Sequence, residues 1–425
     1  MAKSSIFVDF SLLKNNAHFR AIFVARMMSV FALGILTVAV PVQIHQLTGS
    51  PLHVGFAMAL DGAGMFVGLL CGGVLADRYD RRRLILLARS LCGLGFLLLA
   101  LNSFVATPSL LALYLVSLWD GFFGAMGITA LMAAIPVLVG RENLPAAGAL
   151  SMLTVRFGAV LAPAVGGLII VSVGVSWNYL LAGVGTLATL IALIRLPALP
   201  PQGGEPERPL QALYDGLAFL RQNRVVGAVV LLGILQALLS TVRVLFPALV
   251  ESGYGGGAAQ VGLMYSAVPL GAMLGAFTSG WVGGAARPGA LLILAVLVSA
   301  LLVAALGLCR QLPLALGLLV LLGYCGSIVG LLQFILVQGQ TPDHLLGRVN
   351  SLWSAQDVLG DAVGALGIGA LARLLAPLTS VLALGGATAL LAVLLGAACS
   401  GLRRLVAQSP GAPQGDVDGA VEQVC

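Results

Sequence analysis

The chain alternates long apolar runs with short polar segments. Twelve of the runs are about 20 residues or longer, which is enough for an α-helix to cross a bilayer. They form two sets of six, near 19–43, 52–76, 84–104, 109–134, 145–172 and 177–196, and near 225–249, 260–284, 289–308, 313–337, 350–372 and 377–401. Because the runs are continuous and do not alternate, we predict an all-α membrane protein with twelve transmembrane helices in two pseudo-symmetric six-helix bundles.

A segment rich in proline, glycine and charge separates the two sets. The sequence LPALPPQGGEPERPL cannot continue a helix, and Leu210 to Arg224 has the pattern of a short amphipathic helix on the membrane surface. We therefore predict an N-terminal bundle at 1–196, a cytoplasmic linker at 197–224, a C-terminal bundle at 225–402 and a tail at 403–425 with the composition of disorder. The loops VGRENLPAAGALSMLTVR and GQTPDHLLGRVNSLWSAQD are alike and indicate an internal duplication.

Composition agrees with membrane insertion and excludes several other classes. The hydrophobic content is 59% and the mean hydropathy is +1.05, well above soluble proteins, in which roughly 45–50% of residues are apolar. The only lysines are Lys3 and Lys14, so no phosphate-binding GxxxxGK[ST] loop of an ATPase can exist. Neither the histidines nor the cysteines have ligand spacing. We predict a protein that is not an enzyme and uses no metal, cofactor or nucleic acid.

The basic residues predict the orientation. The loop Gly72 to Arg83, GGVLADRYDRRR, holds four arginines between two apolar runs, and short basic loops stay in the cytoplasm. Of the 22 Lys and Arg residues, we assign 17 to this side, Arg310 and Arg373 to the other, and three to spans. Both termini are then cytoplasmic. The first helix serves as its own insertion signal, without a cleavable peptide.

Ionisable residues inside spans are candidates for function, because each costs roughly 2.5–3.5 kcal/mol to insert. They are Arg26, Asp61, Asp120, Arg156, Arg243, Asp357 and Asp361. Asp120 lies about 11 residues, or roughly 16 Å, from one end of its run, and Arg156 lies equally far inside its own. These side chains are expected near the bilayer midplane, around a central cavity.

Two interpretations of these charges remain open. In the first, Arg156 and Arg243 bind polar or anionic groups of a substrate, while Asp61, Asp120 or Asp361 takes up a proton. In the second, Asp120 with Arg156, and Asp61 with Arg26, form structural ion pairs. The aromatic neighbours of these charges, Trp119, Phe122, Phe123 and Trp353, could stack on an aromatic substrate or only fill the core.

The basic loop resembles the signature between the second and third helices of the major facilitator superfamily. Its matching positions are Gly73, Leu75, Ala76, Asp77, Arg78, Arg81, Arg82 and Arg83. Asp80 stands where glycine is usual, and at the equivalent place in the second half only Arg287 remains charged. The resemblance implies that Asp77 and the arginines latch neighbouring helices when the protein faces outward. A simple basic membrane anchor is the alternative.

A second resemblance to the superfamily lies in the fifth run, GAVLAPAVGG. Pro163, Gly166 and Gly167 match a motif that this family associates with exporters, and Ala162 replaces a glycine. Glycines permit close approach of a neighbouring helix and a proline permits a bend, as a helix that rocks between two states requires. Ordinary helix packing would use the same residues. Ser117 occupies the position of the family's usual fourth-helix arginine, which leaves the proton route open.

Longer segments resemble the superfamily's exporters of enterobactin-like catecholate siderophores in enterobacterial inner membranes. They include FRAIFVARMMSVFALGILTVAVPVQI, LYLVSLWDGFFGAMGITAL and LLGRVNSLWSAQDVLGDAVGA. This resemblance implies proton-driven export of such a siderophore to the periplasm by a monomer, with an outer-membrane partner beyond it. Asp361 or Asp61 would bind substrate and proton in turn, while Arg156 and Arg243 orient the substrate.

Three other functions remain open. A multidrug or macrolide exporter shares the same motifs, and a proton-coupled importer shares the fold. A lipid-flipping or membrane-interaction protein would need no soluble substrate at all.

Overall fold

The computed structural model describes residues 17–140, 143–200, 218, 220, 223–342 and 346–405, and within these ranges the chain is helical without strands. The long helices are α1 (Ala17–Thr48), α2 (Pro51–Arg78), α3 (Arg81–Phe104), α4 (Leu110–Val139), α5 (Leu144–Val173), α6 (Val175–Leu193), α7 (Arg224–Tyr254), α8 (Ala258–Gly284), α9 (Pro288–Leu308), α10 (Leu312–Gln340), α11 (Leu346–Leu374) and α12 (Pro377–Ala398). Each coincides with one predicted run, so the predicted all-α membrane class is confirmed. The predicted linker helix and most of the tail lie outside the described residues.

One long helix is more polar than the rest. Among the described residues, 11 helices are long and apolar enough to cross a membrane, and α11 is not one of them. Its 29 residues give sufficient length, but Asp357 and Asp361 lower its hydropathy. Because α11 packs along α2 and α7, its polar groups can be satisfied inside the protein, where hydrocarbon does not reach them.

Helix α7 is interrupted near its middle. Regular α-helix ends at Ser240, and a 3-10 segment, Thr241–Leu245, follows before the chain continues through Pro247. Proline has no N–H to donate to the carbonyl four residues earlier, which here belongs to Arg243. The Tyr265 hydroxyl of α8 donates to that carbonyl at 3.0 Å. The carbonyl at the break therefore accepts both from the Phe246 N–H of the 3-10 segment and from a neighbouring helix.

Glycines bring helix backbones together within each half. Along α2, Gly64, Gly68 and Gly72 face the α4 backbone so closely that a Cβ on any of them would collide with it. In the second half, Gly271 of α8 meets α10 in the same way, and Gly323 of α10 meets α8. The pair α2 and α4 thus corresponds to the pair α8 and α10, as expected for duplicated halves.

The two halves meet mainly through α2 with α11 and α5 with α8. We name the two ends of the bundle after their loops, the Gly49 end and the Asp80 end. Gly55 lies against the α11 backbone at Ala365 and Gly369, and Gly167 lies against Ala258 of α8. These contacts belong to the half of the bundle nearer the Gly49 end, where the halves are closed against each other.

An ion pair joins the two halves at the same end. The Nε2 atom of His45, near the end of α1, lies 2.6 Å from Oε2 of Glu251 in the last part of α7. Glu251 sits in the π-helical turn Val250–Tyr254. The pair adds a polar contact to the glycine-mediated closure of the Gly49 end.

Replacing Gly68 by alanine is expected to weaken packing within the first half. The added methyl group would meet the Phe122 backbone, and overpacking of this kind typically costs about 1–3 kcal/mol. We expect the Gly68→Ala variant to unfold several degrees below the wild type in detergent thermal denaturation.

Gly185→Ala in α6 provides the matched control, since no atom lies within 4 Å of the added Cβ. Its unfolding temperature should equal or slightly exceed that of the wild type, because alanine favours helix. Equal losses in the two variants would contradict the close-packing argument.

Candidate functional site

Four of the seven charged residues expected near the midplane form one electrostatic group. Asp61 of α2, Asp120 of α4, Arg243 of α7 and Asp361 of α11 lie near enough for Asp61 to interact with the charges of the other three. The group draws two members from each half. It therefore crosses the boundary along which the halves meet.

Arg243 and Asp361 form a direct ion pair at the centre of this group. Nη2 of Arg243 binds Oδ2 of Asp361, and Oγ of Ser240 donates to Oδ1 of the same carboxylate at 3.3 Å. The side chains of Arg243 and Asp361 are 40% and 30% exposed. A ligand can therefore reach both members of the pair.

The broken helix α7 positions the arginine. Arg243 lies within the 3-10 segment, and its carbonyl is fixed by Tyr265, whose ring packs edge-on against Phe246 with centroids 5.0 Å apart. The guanidinium Nε atom is buried and has no hydrogen-bond partner within the described ranges. The exposed part of the guanidinium is therefore the part that a ligand can reach.

Asp61 lies where three helices meet. Gly121 of α4 packs on the Asp61 carbonyl, and the neighbouring Gly62 packs on Ala362 of α11. Any larger residue at Gly121 would push α2 away from α4. The small residues therefore hold a carboxylate of the first half beside the Arg243–Asp361 pair of the second.

Asp120 faces α3, where Arg89 and Cys92 are its close electrostatic neighbours. Arg89 is only 7% exposed, although the count of basic residues in the sequence analysis left it among the cytoplasmic ones. That assignment is corrected, since Arg89 lies two turns inside α3. The sequence could have indicated this buried position, because Arg89 follows Arg81 by eight residues and lies within an apolar run.

Arg26 and Arg156 lie apart from the Arg243–Asp361 pair, whereas Asp357 interacts electrostatically with Asp361. Arg26 of α1 is half-buried and lines a small cavity with Arg89. Arg156 is half-buried on α5, and Asp357 is exposed one turn before Asp361. The ion pairs found in the described part of the chain are His45–Glu251 and Arg243–Asp361. Neither Asp120–Arg156 nor Asp61–Arg26 is among them.

The aromatic candidates occupy two places. Trp119 donates from Nε1 to the Leu91 carbonyl of α3 at 2.9 Å and packs on Phe123 with centroids 4.7 Å apart. Both rings line an apolar cleft of about 540 Å³ between α2 and α4. Trp353 packs on Phe334, with centroids 6.4 Å apart. The first pair thus lies beside Asp120 and the second beside Asp357.

The basic loop is held to the N-terminal half. Asp80 caps α3 by accepting from Arg82 N at 2.9 Å and also accepts from Leu199 N at 3.1 Å. Arg81 is buried and donates to the Ala133 carbonyl of α4 at 3.0 Å. Aspartate is a favoured residue at the N-cap of a helix. This capping role explains why Asp80 stands where the family signature has glycine.

Among the remaining latch candidates, Arg82 donates from Nη2 to the Ile194 carbonyl at 2.5 Å, whereas Gly73, Asp77 and Arg78 are unengaged in this conformation. Asp77 and Arg78 are exposed, and within the described ranges neither side chain makes an ion pair or hydrogen bond. Gly73 has no atom within 4 Å of where a Cβ would stand. The Asp80 end therefore has space on α2 that a second helix could fill in another conformation.

The fifth-helix motif lies at two helix contacts. Gly166 packs on Ile35 of α1, while Gly167 and the Pro163 carbonyl pack on Gly262 and its neighbours in α8. The motif therefore belongs both to the first half and to its boundary with the second.

Comparison with known proteins places this geometry in a transporter family. A family model described as "Transmembrane secretion effector" matches residues 9–413. Curated relatives named "Enterobactin exporter EntS", from Escherichia coli O9:H4 strain HS and from Escherichia fergusonii, are 50% identical over 395 residues, which cover 93% of this chain and 95% of theirs.

Solved structures agree on the fold. The nucleoside transporter NupG superposes with a TM-score of 0.74 at 14% identity, covering 91% of this chain and 99% of that one. A POT family transporter in complex with 5-aminolevulinic acid gives 0.69 at 13% identity, covering 91% and 96%. At such identities these likenesses concern architecture alone. With the family match along nearly its whole length, the chain belongs to the transmembrane secretion effectors, membrane transporters of the major facilitator superfamily.

Proposed function

We propose that this transporter exports a catecholate siderophore of the enterobactin type from the cytoplasm to the periplasm in exchange for protons. The observation that carries the proposal is the 50% identity, over 93% of the chain, to relatives named enterobactin exporters. The charged group shared by the two halves gives the proposal a binding site. In transporters built from two repeats, substrate sites lie near the midplane between them.

The conformation suits loading from the cytoplasm. By the positive-inside rule the Asp80 end is cytoplasmic in the bacterial inner membrane, and the close contacts between the halves lie towards the opposite end. In an alternating cycle, the Gly49 end would open while the Asp80 end closes. Asp77, exposed and unpaired here, would then engage the second half and favour the outward-facing state.

The charged group can bind substrate and proton in turn. Asp61 and Asp361 carry two negative charges against one positive charge on Arg243, while Asp120 has Arg89 beside it. An excess of carboxylates in a poorly polarisable interior favours uptake of a proton. An ionised carboxylate accepts hydrogen bonds from catechol hydroxyls, whereas a protonated one accepts them less well.

A proton arriving from the periplasm would therefore release the siderophore. The partly exposed guanidinium of Arg243 orients a catechol oxygen in the loaded state. Arg156, which is half-buried on α5, provides a second cation for the substrate.

The apolar cleft beside Trp119 and Phe123 supports an alternative function, the export of many lipophilic compounds. Its lining is almost wholly aromatic and aliphatic, as expected where many lipophilic compounds bind. A multidrug exporter would use such a surface, so the transport assay must include unrelated lipophilic cations.

We expect the siderophore exporter to act as a monomer that passes its product to an outer-membrane partner.

Transport in inside-out vesicles tests the proposed substrate and energy source. With an imposed proton gradient, vesicles that contain the protein should accumulate a catecholate siderophore, and an uncoupler should abolish the accumulation. Vesicles without the protein set the background. Pumping of lipophilic cations without siderophore accumulation would leave the multidrug alternative instead.

Neutralising the paired carboxylate tests its part in coupling. The Asp361→Asn variant should lose gradient-driven accumulation by about tenfold or more, because a factor of ten corresponds to only about 1.4 kcal/mol. Exchange of labelled for unlabelled siderophore without a gradient should continue, since that exchange needs no proton release.

Asp357→Asn is the matched control, one helical turn away on the same helix and exposed. It should retain at least half of the gradient-driven activity. Equal losses in the two variants would remove the assignment of coupling to Asp361.

The Arg243→Gln variant should lower both accumulation and exchange, because the site then lacks the guanidinium that binds the substrate.

Cross-linking tests the opening of the Gly49 end. A Cβ on Gly369 of α11 would lie 3.1 Å from the Leu52 Cα atom of α2, so a short bifunctional thiol reagent can join Leu52→Cys to Gly369→Cys in a cysteine-free background. Cross-linked protein should stop transporting and recover after cleavage of the linker. Single-cysteine variants treated identically are the control, and undiminished transport after cross-linking would exclude opening at this end.

A further inference from the structure

Four arginines from three elements lie together at the Asp80 end of the second half. They are Arg224 at the start of α7, Arg287 just before α9, and Arg403 and Arg404 in the short helix α13 (Ser400–Arg404) that follows α12. We call them the α13 arginine cluster. The cluster is separate from the charged group near the midplane and from the basic loop of the first half, so the transport mechanism does not use it.

Close packing brings the α13 arginine cluster together. A Cβ on Gly289 of α9 would collide with the Leu402 carbonyl, and a Cβ on Gly401 would stand 3.8 Å from the Val225 side chain of α7. Leu402 is only 1% exposed and packs in the core of the second half. Each of these contacts lies within two residues of an arginine of the cluster. The fold therefore holds α13 against the first turns of α7 and α9.

No carboxylate balances the cluster among the residues that the structure describes. All four arginine side chains are exposed. Three of them make no hydrogen bond or ion pair within the described ranges, and Arg403 donates from Nη2 to the Ala397 carbonyl at 3.2 Å. The described carboxylates at this end of the bundle are Asp77 and Asp80, both in the first half. The cluster therefore offers four positive charges to an anionic partner.

The surroundings of the cluster favour a lipid over a soluble anion. Trp281, in the 3-10 segment at the end of α8, is 53% exposed, and the next residue, Val282, packs in the same core as Leu402. Tryptophan is enriched where a membrane meets water. Deeper in the span, Leu294 of α9 and Leu394 of α12 are 54% and 55% exposed. A headgroup on the arginines would therefore have its acyl chains beside apolar side chains.

Acidic phospholipids have the chemistry that matches this surface. A guanidinium presents its N–H donors in a fork that fits the oxygens of a phosphate. By the positive-inside rule the cluster faces the cytoplasmic leaflet, where each basic residue near the surface strengthens binding to acidic lipid by about fivefold. A zwitterionic headgroup carries its own cation, which the four arginines would repel.

We propose that Arg224, Arg287, Arg403 and Arg404 form a binding site for the headgroup of an acidic phospholipid of the cytoplasmic leaflet. The bound phosphate joins the starts of α7 and α9 to α13 and so stabilises the second half. The site depends neither on the transported substrate nor on the coupling of transport to protons.

Thermal denaturation of the purified full-length protein in a neutral detergent tests the site. Phosphatidylglycerol should raise the unfolding temperature in a saturable way, by about 2 °C or more above the value in phosphatidylcholine. The double variant Arg403→Gln with Arg404→Gln should lose this rise. The matched double variant, Arg78→Gln with Arg83→Gln, removes two exposed arginines from the same end of the first half and should keep it.

A second pair of variants leaves every charge in place. Gly289→Ala adds a methyl group that collides with the Leu402 carbonyl and displaces α13 from α9. Gly284→Ala, in the neighbouring 3-10 segment, has no atom within 4 Å of the added Cβ. Gly289→Ala should lose most of the rise caused by phosphatidylglycerol, while Gly284→Ala should keep it.

Native mass spectrometry measures the bound lipid directly. The wild type should retain one phosphatidylglycerol per chain, and the Arg403→Gln with Arg404→Gln variant should retain none. A rise in unfolding temperature with soluble glycerol phosphate equal to that with the lipid would assign the arginines to a soluble anion instead. Equal rises with phosphatidylglycerol and phosphatidylcholine, or equal losses in the two double variants, would indicate only the general attraction of a basic surface and overturn the proposal.

Discussion

Backbone contact between helices is the constraint on which the structure depends. In a membrane, apolar side chains gain little by leaving lipid, so helices associate through close packing and polar contacts. Gly64, Gly68 and Gly121 permit that packing between α2 and α4, and Gly55 and Gly62 permit it between α2 and α11. As a result α2 is shared between the interior of one half and its boundary with the other. A change in either contact would displace Asp61 from its partners.

The interrupted helix α7 provides the polar counterpart of this packing. Pro247 cannot donate to the Arg243 carbonyl, which accepts instead from the Phe246 N–H in the 3-10 segment and from the Tyr265 hydroxyl of α8. The resulting 3-10 segment directs Arg243 to Asp361 on α11. Irregular backbone is tolerated at membrane depth where it is buried in protein or lines a cavity. The break in α7 therefore places Arg243 where it can pair with Asp361.

The charges of the two halves are organised differently. In the second half Arg243 and Asp361 pair directly and stay partly exposed. In the first half Asp120 lies beside Arg89 and Cys92 of α3. Asp61 lies between the two clusters and interacts with both Asp120 and Arg243. The Asp61 carboxylate therefore links the charges at the boundary between the halves with the charges inside the first half.

The number, order and extent of the helices followed from the sequence, because a helix must satisfy its own backbone in the membrane and an apolar run long enough to span it leaves few alternatives. The presence of Asp61, Asp120, Arg243 and Asp361 inside membrane spans also followed, and because burying a charge is costly they remain the predicted functional residues. The sequence could not assign their partners, because partnership depends on which helices touch and at what rotation. Neither expected pair, Asp120–Arg156 or Asp61–Arg26, is found among the described residues.

Only the tertiary structure decided the remaining features. It brought Arg89 into the interior beside Asp120, closed the Gly49 end through α2 with α11 and α5 with α8, and gave Asp77 no partner among the residues that the structure describes. The Asp80 side chain acquired its capping role only when Leu199 was folded against it. Each of these depends on contacts between residues distant in sequence, for which hydropathy and local motifs carry no signal.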